Sequence, residues 1–155
     1  RGAAVVQSYL KTDQPAVDDN NWFDTGDVAT IDPNGYMKIT DRSKDIIKSG
    51  GEWISSIDLE NTAVGHPDVS EAAVIGIHHP KWEERPILII VKKANTTPSS
   101  KEILKYVSQF VANWQIPDDV IFMEEIPHTA TGKISKLALR KKINEIGYKH
   151  PDIRD

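Results

Sequence analysis

Five consecutive apolar residues, Ile87-Leu88-Ile89-Ile90-Val91, constrain the fold of this chain more than any other stretch. A strand with one wet face alternates apolar and polar side chains, whereas an unbroken aliphatic run is what a strand covered on both faces requires. Such a strand needs sheet neighbours at its edges and apolar elements above and below. Val69 to Ile77 is β-rich and supplies a neighbour, with His78–Pro86 between them predicted as a charged loop. Ser99 and Glu102 form the ends of a capping box, and Ile103, Leu104, Val107, Phe110, Val111 and Trp114 follow at helical spacing until Pro117. Ser55-Ser56 can cap a second helix that runs to Gly65, with Ile57, Leu59, Ala63 and Val64 available for burial. Val120 to Met123 reads as a short strand. A last helix carries Leu139, Ile143 and Ile146 as its apolar stripe, with Gly147 as its stop.

Upstream, Asp32-Pro33-Asn34-Gly35 separates two alternating runs, the strongest short hairpin signal in the chain. Gly50-Gly51 marks the tip of a second hairpin, Ile46 to Ile54. Ala3-Ala4-Val5-Val6 reads as a strand followed by a surface loop. The expected architecture is α+β: a small domain with a mostly antiparallel sheet carrying helices, preceded by strands of another domain.

A length of 155 residues holds one domain, or a small domain plus part of another. A formal net charge of -4 gives no nucleic-acid footprint. The absence of cysteine removes disulfides, thiolate zinc sites and cysteine nucleophiles, and it fits a reducing, cytoplasmic compartment. No transmembrane segment is visible, and the start at Arg1 without methionine leads us to expect a fragment.

Several residues could carry chemistry, each with a plainer reading beside it. Asp27, after the Thr25-Gly26 turn, could accept hydrogen bonds from a diol such as a ribose, or be a turn aspartate. Arg42 could simply pair with Asp41. The Gly50-Gly51 tip could let a ligand chain lie against bare backbone, but hairpins need such glycines anyway. His78-His79 lacks a carboxylate at ligand spacing, so no metal site is expected. The pairs Glu83-Glu84 and Glu124-Glu125 face apart in extended chain and read as solvated, as do Lys136, Arg140, Lys141 and Lys142 on the last helix. Lys133, in Pro127-His128-Thr129-Ala130-Thr131-Gly132-Lys133-Ile134, offers a compact cation on a flexible stem, or else a solvated turn.

In order, Trp22-Phe23-x-Thr25-Gly26-Asp27, then Asp41-Arg42-x-Lys44-Asp45-x-Ile47-Lys48-x-Gly50-Gly51-Glu52-x-Ile54, then the Lys133 loop closely resemble the C-terminal third of the adenylate-forming superfamily, above all its AMP-forming medium- and long-chain fatty acyl-CoA synthetases. The resemblance covers essentially the whole chain. It implies an enzyme that makes an acyl adenylate from a fatty acid and ATP, then passes the acyl group to coenzyme A. It further implies that residues 1–41 end the large N-terminal domain, 42–44 form a hinge and 45–155 are the mobile C-terminal domain. On the same resemblance Lys133 is the catalytic cation, Asp27 and Arg42 bind the AMP portion of the nucleotide, and Lys44 is the hinge residue. Gly50 and Gly51 would line the path of CoA, and Trp82 and Trp114 would lie near its nucleotide or else pack in the core or rim. Mg²⁺ ligands, the phosphate loop and the acyl site would belong to the missing N-terminal domain, through which the parent could also form a homo-oligomer.

Three departures bear on those roles. Asp41 stands where many members have glycine, Trp53 where several short-chain relatives carry arginine or an amide, and Asp118-Asp119 where some relatives carry basic residues toward CoA. Without the upstream machinery the fragment alone is expected to be inactive. Two other readings stay open: an adenylation domain for amino or aryl acids working with a carrier protein, and a non-catalytic module that binds nucleotide or a partner through the Lys133 loop.

Overall fold

A computed structural model describes residues 1–151 and divides into two compact units, Arg1–Lys44 and a second beginning at Asp45. In the first, β1 (Asp27–Ile31) and β2 (Met37–Arg42) form the expected antiparallel hairpin, with a bulge between Val28 and Ala29. Gly35 adopts φ +86° in its turn, and Asp32 caps that turn by accepting from the N–H groups of Asn34 and Tyr36. The strand expected at Ala3–Val6 is absent: this stretch turns, with Val5 N–H donating to Gly2 O at 3.1 Å. Four small apolar residues with no paired partner lack what makes a strand stable.

The second unit is built around β6 (Glu83–Lys92), the strand that contains the apolar run. Ile87, Leu88, Ile89 and Ile90 are all fully buried, two toward each face. Leu88 and Ile90 pack with Leu59 and Ala63 of α1 (Ser56–Val64) and with Ile103 and Val107 of α2 (Ser100–Val107). Ile87 and Ile89 pack with Leu139 and Ile143 of α3 (Lys136–Glu145) and with Ile126. Each such burial contributes about 1.5–3 kcal/mol against the entropy of ordering the chain, so this one strand anchors both helical layers.

β5 (Val69–His79) runs antiparallel along one whole edge of β6, from Val69 opposite Lys92 to His79 opposite Glu83. Two strands therefore share the other edge. The hairpin strand β3 (Ile47–Ser49) meets β6 antiparallel at the single pair Ser49 and Glu83, and β7 (Asp119–Phe122) joins it parallel from Ile87 to Ile90. β4 (Glu52–Ile54) closes the hairpin outside β3. The sheet is thus mixed but mostly antiparallel, as expected.

Some expectations change. The loop predicted at 78–86 is only the turn 80–82, because β5 and β6 both extend into the charged residues and their pairing overrides the polar composition. α2 stops at Val107 rather than continuing to Trp114. Ser108 caps it, and Phe110 and Trp114 end up exposed, Trp114 within the 3-10 turn Asn113–Gln115. Val64 and Ile146 are likewise exposed. The basic face of α3 is only partly solvated. Lys136 reaches Glu60 at 2.8 Å and the Ser56 hydroxyl, and Arg140 pairs with Asp45 at 2.9 Å, while Lys141 and Lys142 stay exposed. Among the described residues no helix is long and apolar enough to cross a membrane.

Candidate functional site

The sequence-predicted residues fall into three places. In the first unit Arg42 Nε lies 3.0 Å from Asp27 Oδ1, and its Nη1 donates to Thr25 O at 3.0 Å. Arg42 therefore pairs across the hairpin with Asp27, its register partner, rather than with neighbouring Asp41. Asp41 is itself buried and accepts from the Arg42 N–H at 2.7 Å. Gly26 turns with φ +68°, and Ser43 N–H and hydroxyl both bond its carbonyl. A carboxylate offers four lone-pair directions, and Asp27 retains acceptor capacity beyond Arg42 for a pair of vicinal hydroxyls. Lys44 is exposed and is the last residue of this unit.

The second place is the loop that bears Lys133. Thr129 organises it: its N–H donates to Lys133 O at 2.7 Å, its carbonyl accepts from Gly132 N–H at 2.9 Å, and its hydroxyl lies 3.3 Å from Lys133 N and 2.9 Å from the Thr131 hydroxyl. Gly132 has φ +80°, a conformation that costs an L side chain about 1 kcal/mol or more. His128 pairs with Ile134 as a β-bridge and its Nε2 lies 2.6 Å from Glu71 Oε1, which ties the loop to β5. Lys133 is exposed at the end of this closed loop, a placement suited to reaching an external anion.

The third place is a cleft of about 540 Å³ lined by Ser49, Gly50, Glu52, Trp82, Arg85, Trp114, Asp118 and Pro151. Gly50, Trp82 and Trp114 come together here. Gly51 shares the same turn, at φ +90°, with open space where a Cβ would stand. Gly50 packs on the Trp82 ring, and its N–H donates to Trp82 O at 2.8 Å. Lys81 Nζ sits 4.4 Å from the centroid of the Trp82 ring.

Arg85 and Asp118 line the cleft and His150 backs Asp118; sequence reasoning passed over Arg85 and His150 and noted Asp118 only as a departure from relatives. Arg85 Nε donates to both Asp118 oxygens, its Nη1 to the Ser49 hydroxyl and Trp114 O, and its Nη2 to Ile116 O and Asp118. Every N–H direction of the fork is used. His150, almost fully buried, places Nε2 2.9 Å from the other Asp118 oxygen and stacks edge-on against His79. Burial pushes the Asp118 carboxyl up, but the Arg85 hydrogen bonds and charge, with His150, outweigh it and hold it below the ordinary carboxylate value. An arginine just before a buried run and an aspartate just before its parallel partner strand was the available signal, legible only once the β6–β7 pairing is known. His78 and His79, successive residues of β5, are exposed and buried respectively, and among the described residues no group of three or more His, Cys, Asp or Glu is placed to hold a metal.

Residues 58–133 match the family described as AMP-binding enzyme C-terminal domain. The 3-methylmercaptopropionyl-CoA ligase of Ruegeria pomeroyi is 54% identical over 147 residues, which cover 94% of this chain and 27% of the relative. The medium-chain-fatty-acid–CoA ligase of Ectopseudomonas oleovorans is 52% identical over 146 residues, again 94% of this chain and 27% of the relative. The chain thus spans about a quarter of the length of these relatives. Among solved structures, ATP-bound MatB from Rhodopseudomonas palustris aligns with a TM-score of 0.77 at 30% identity over 85% of this chain and 26% of that one. The Mycobacterium tuberculosis fatty acyl CoA synthetase aligns with a TM-score of 0.68 at 42% identity over 84% and 26%. Residues 58–133 of this chain are thus a segment of the AMP-binding enzyme C-terminal domain family.

Proposed function

We propose that this chain carries the end of the large domain and the mobile domain of an ATP-dependent, AMP-forming fatty acyl-CoA ligase. The observation that carries the reading is its identity of about half its residues, over nearly its full length, to acyl-CoA ligases. In the first half-reaction the fatty acid carboxylate attacks the α-phosphorus of ATP and pyrophosphate leaves. Negative charge concentrates at that junction, and Lys133 is the cation brought to it. Asp27 accepts from the ribose hydroxyls, while Arg42 holds Asp27 in place and faces the nucleotide. Mg²⁺ travels with ATP and takes its ligands from outside this chain.

In the second half-reaction the CoA sulfur attacks the acyl carbonyl, AMP leaves, and the thiol proton passes to solvent or to the departing phosphate. The unit beginning at Asp45 rotates about Lys44 between the two steps, withdrawing Lys133 and presenting the Gly50-Gly51 turn. Gly51, with open space at its Cβ position, admits the pantetheine chain, and Trp82 and Trp114 flank the cleft beside it. The acyl group is not read by these residues. Relatives of this same segment are a trans-cinnamate:CoA ligase, a long-chain-fatty-acid–CoA ligase and an acetate–CoA ligase.

The test is Lys133→Ala in the full-length ligase that this reading requires. Acyl-dependent exchange of pyrophosphate into ATP is expected to fall at least about a hundredfold, while thioester formation from supplied acyl adenylate is retained. Equal loss of both half-reactions would refute the assignment. A second reading, favoured by similarity to the amide bond synthetase McbA (32% identity, TM-score 0.73), replaces CoA by an amine as acyl acceptor. Acyl transfer to amines with no CoA dependence would select it.

A further inference from the structure

The hairpin that carries Gly50 and Gly51 is too short to hold its own shape. β3 and β4 have three residues each, and an isolated two-stranded ribbon of that size is marginal in water. Its attachment to the sheet by strand register is the single pair Ser49 and Glu83. Its base is anchored in the core by Ile47 of β3 and Ile54 of β4. Its tip is held by side chains and backbone between Trp82 and Arg85, where β6 begins. Trp82 O accepts from Gly50 N–H at 2.8 Å and the Trp82 ring lies under Gly50; Glu84 Oε2 accepts from Lys48 N–H at 3.0 Å; Arg85 Nη1 donates to the Ser49 hydroxyl at 3.0 Å.

Arg85 occupies the place where the shared edge of β6 passes from β3 to β7, between Glu83 and Ile87. There it bonds the hairpin on one side and Trp114 O, Ile116 O and Asp118 on the other. Asp118 neutralises it, so the guanidinium offers no net charge to an anion; its Nη groups are spent on fixing walls. Its side chain is only 12% exposed, so losing the fork leaves several acceptors without their donor.

We propose that Arg85, backed by Asp118 and His150, is a positioning residue that sets the glycine turn and the Trp114 wall of the cleft for binding of coenzyme A; the last clause rests on the ligase reading above. The experiment uses this chain with Arg85→Lys, which keeps the charge and loses the fork, and Arg85→Met, which keeps only the stem. Amide hydrogen exchange at Lys48–Gly51 is expected to accelerate about tenfold or more in both variants while Ile87–Ile90 amides stay protected. Coenzyme A titrated by calorimetry is expected to bind the wild-type chain at least about tenfold more tightly than either variant.

Unchanged exchange at the hairpin overturns the proposal, and so does exchange that rises equally in the hairpin and the core, which would make Arg85 a residue of global stability. Faster hairpin exchange with unaltered CoA affinity overturns the link to binding. If the wild-type chain shows no CoA binding, the CoA reading of the cleft fails, while the exchange measurement still decides whether Arg85 holds the turn.

Discussion

Gly50 shows how one residue can be fixed from two directions. Its φ of +61° disfavours any L side chain, and a Cβ would stand 2.7 Å from the Trp82 ring, closer than packed atoms allow. Gly50→Ala is therefore expected to destabilise the second unit by about 1–3 kcal/mol in urea unfolding, whereas alanine at Gly51 meets only the conformational cost, about 1 kcal/mol. Asp118 makes a pH prediction. Its folded pKa is depressed, so its contribution is fully present above the unfolded carboxylate value and is lost as pH falls through the lower folded one. Asp118→Asn is expected to flatten that part of the acid limb in stability-versus-pH curves and to leave the neutral range parallel to wild type. Two of these residues were legible from sequence to different degrees. Gly50 stands in a Gly-Gly tip between β-rich runs, a local signal, whereas Asp118 takes its meaning from Arg85, 33 residues away.

Among the elements, those written in local chemistry were read correctly from the sequence. Both hairpins, the capping box at Ser99 and the Ser55 cap of α1 depend on residues within four positions of one another. What the sequence did not disclose was set by distant partners. α2 was extended to Trp114 because its apolar spacing continues, yet the chain leaves the helix at Ser108. The basic face of α3 was read as solvated because charge in sequence does not reveal the carboxylate that α1 brings to it. Lys136 is 12% and Glu60 16% exposed, and Glu60 also accepts from Val74 N–H at 2.8 Å. Removing one partner strands the other in a poorly solvated place. Lys136→Met is thus expected to cost about 2–4 kcal/mol, and Glu60→Gln added to it to recover part of the loss, because glutamine keeps an acceptor for Val74 and carries no charge. A double-mutant cycle by urea unfolding measures the coupling.

At the scale of the whole molecule, the stabilising core lies beyond Lys44. Every buried hydrophobic side chain among the described residues, from Ile46 to Ile143, belongs to the second unit. Residues 45–155 expressed alone are therefore expected to unfold with the same urea midpoint as the second unit within the full chain, and residues 1–44 alone to show no cooperative transition. Circular dichroism of the two pieces decides both. The sequence reading placed a hinge at 42–44 through a resemblance rather than through composition, since no Pro- or Gly-rich linker marks it. The edge of β6 shared by two strands has a further consequence. β7 is zipped along four residues and the hairpin pairs with β6 at one, so the Gly50-Gly51 tip can lift while β7 stays paired and Ile47 and Ile54 stay in the core. The sheet thus contains a leaf with its own hinge of hydrogen bonds, able to turn at a free energy well below that of opening the book.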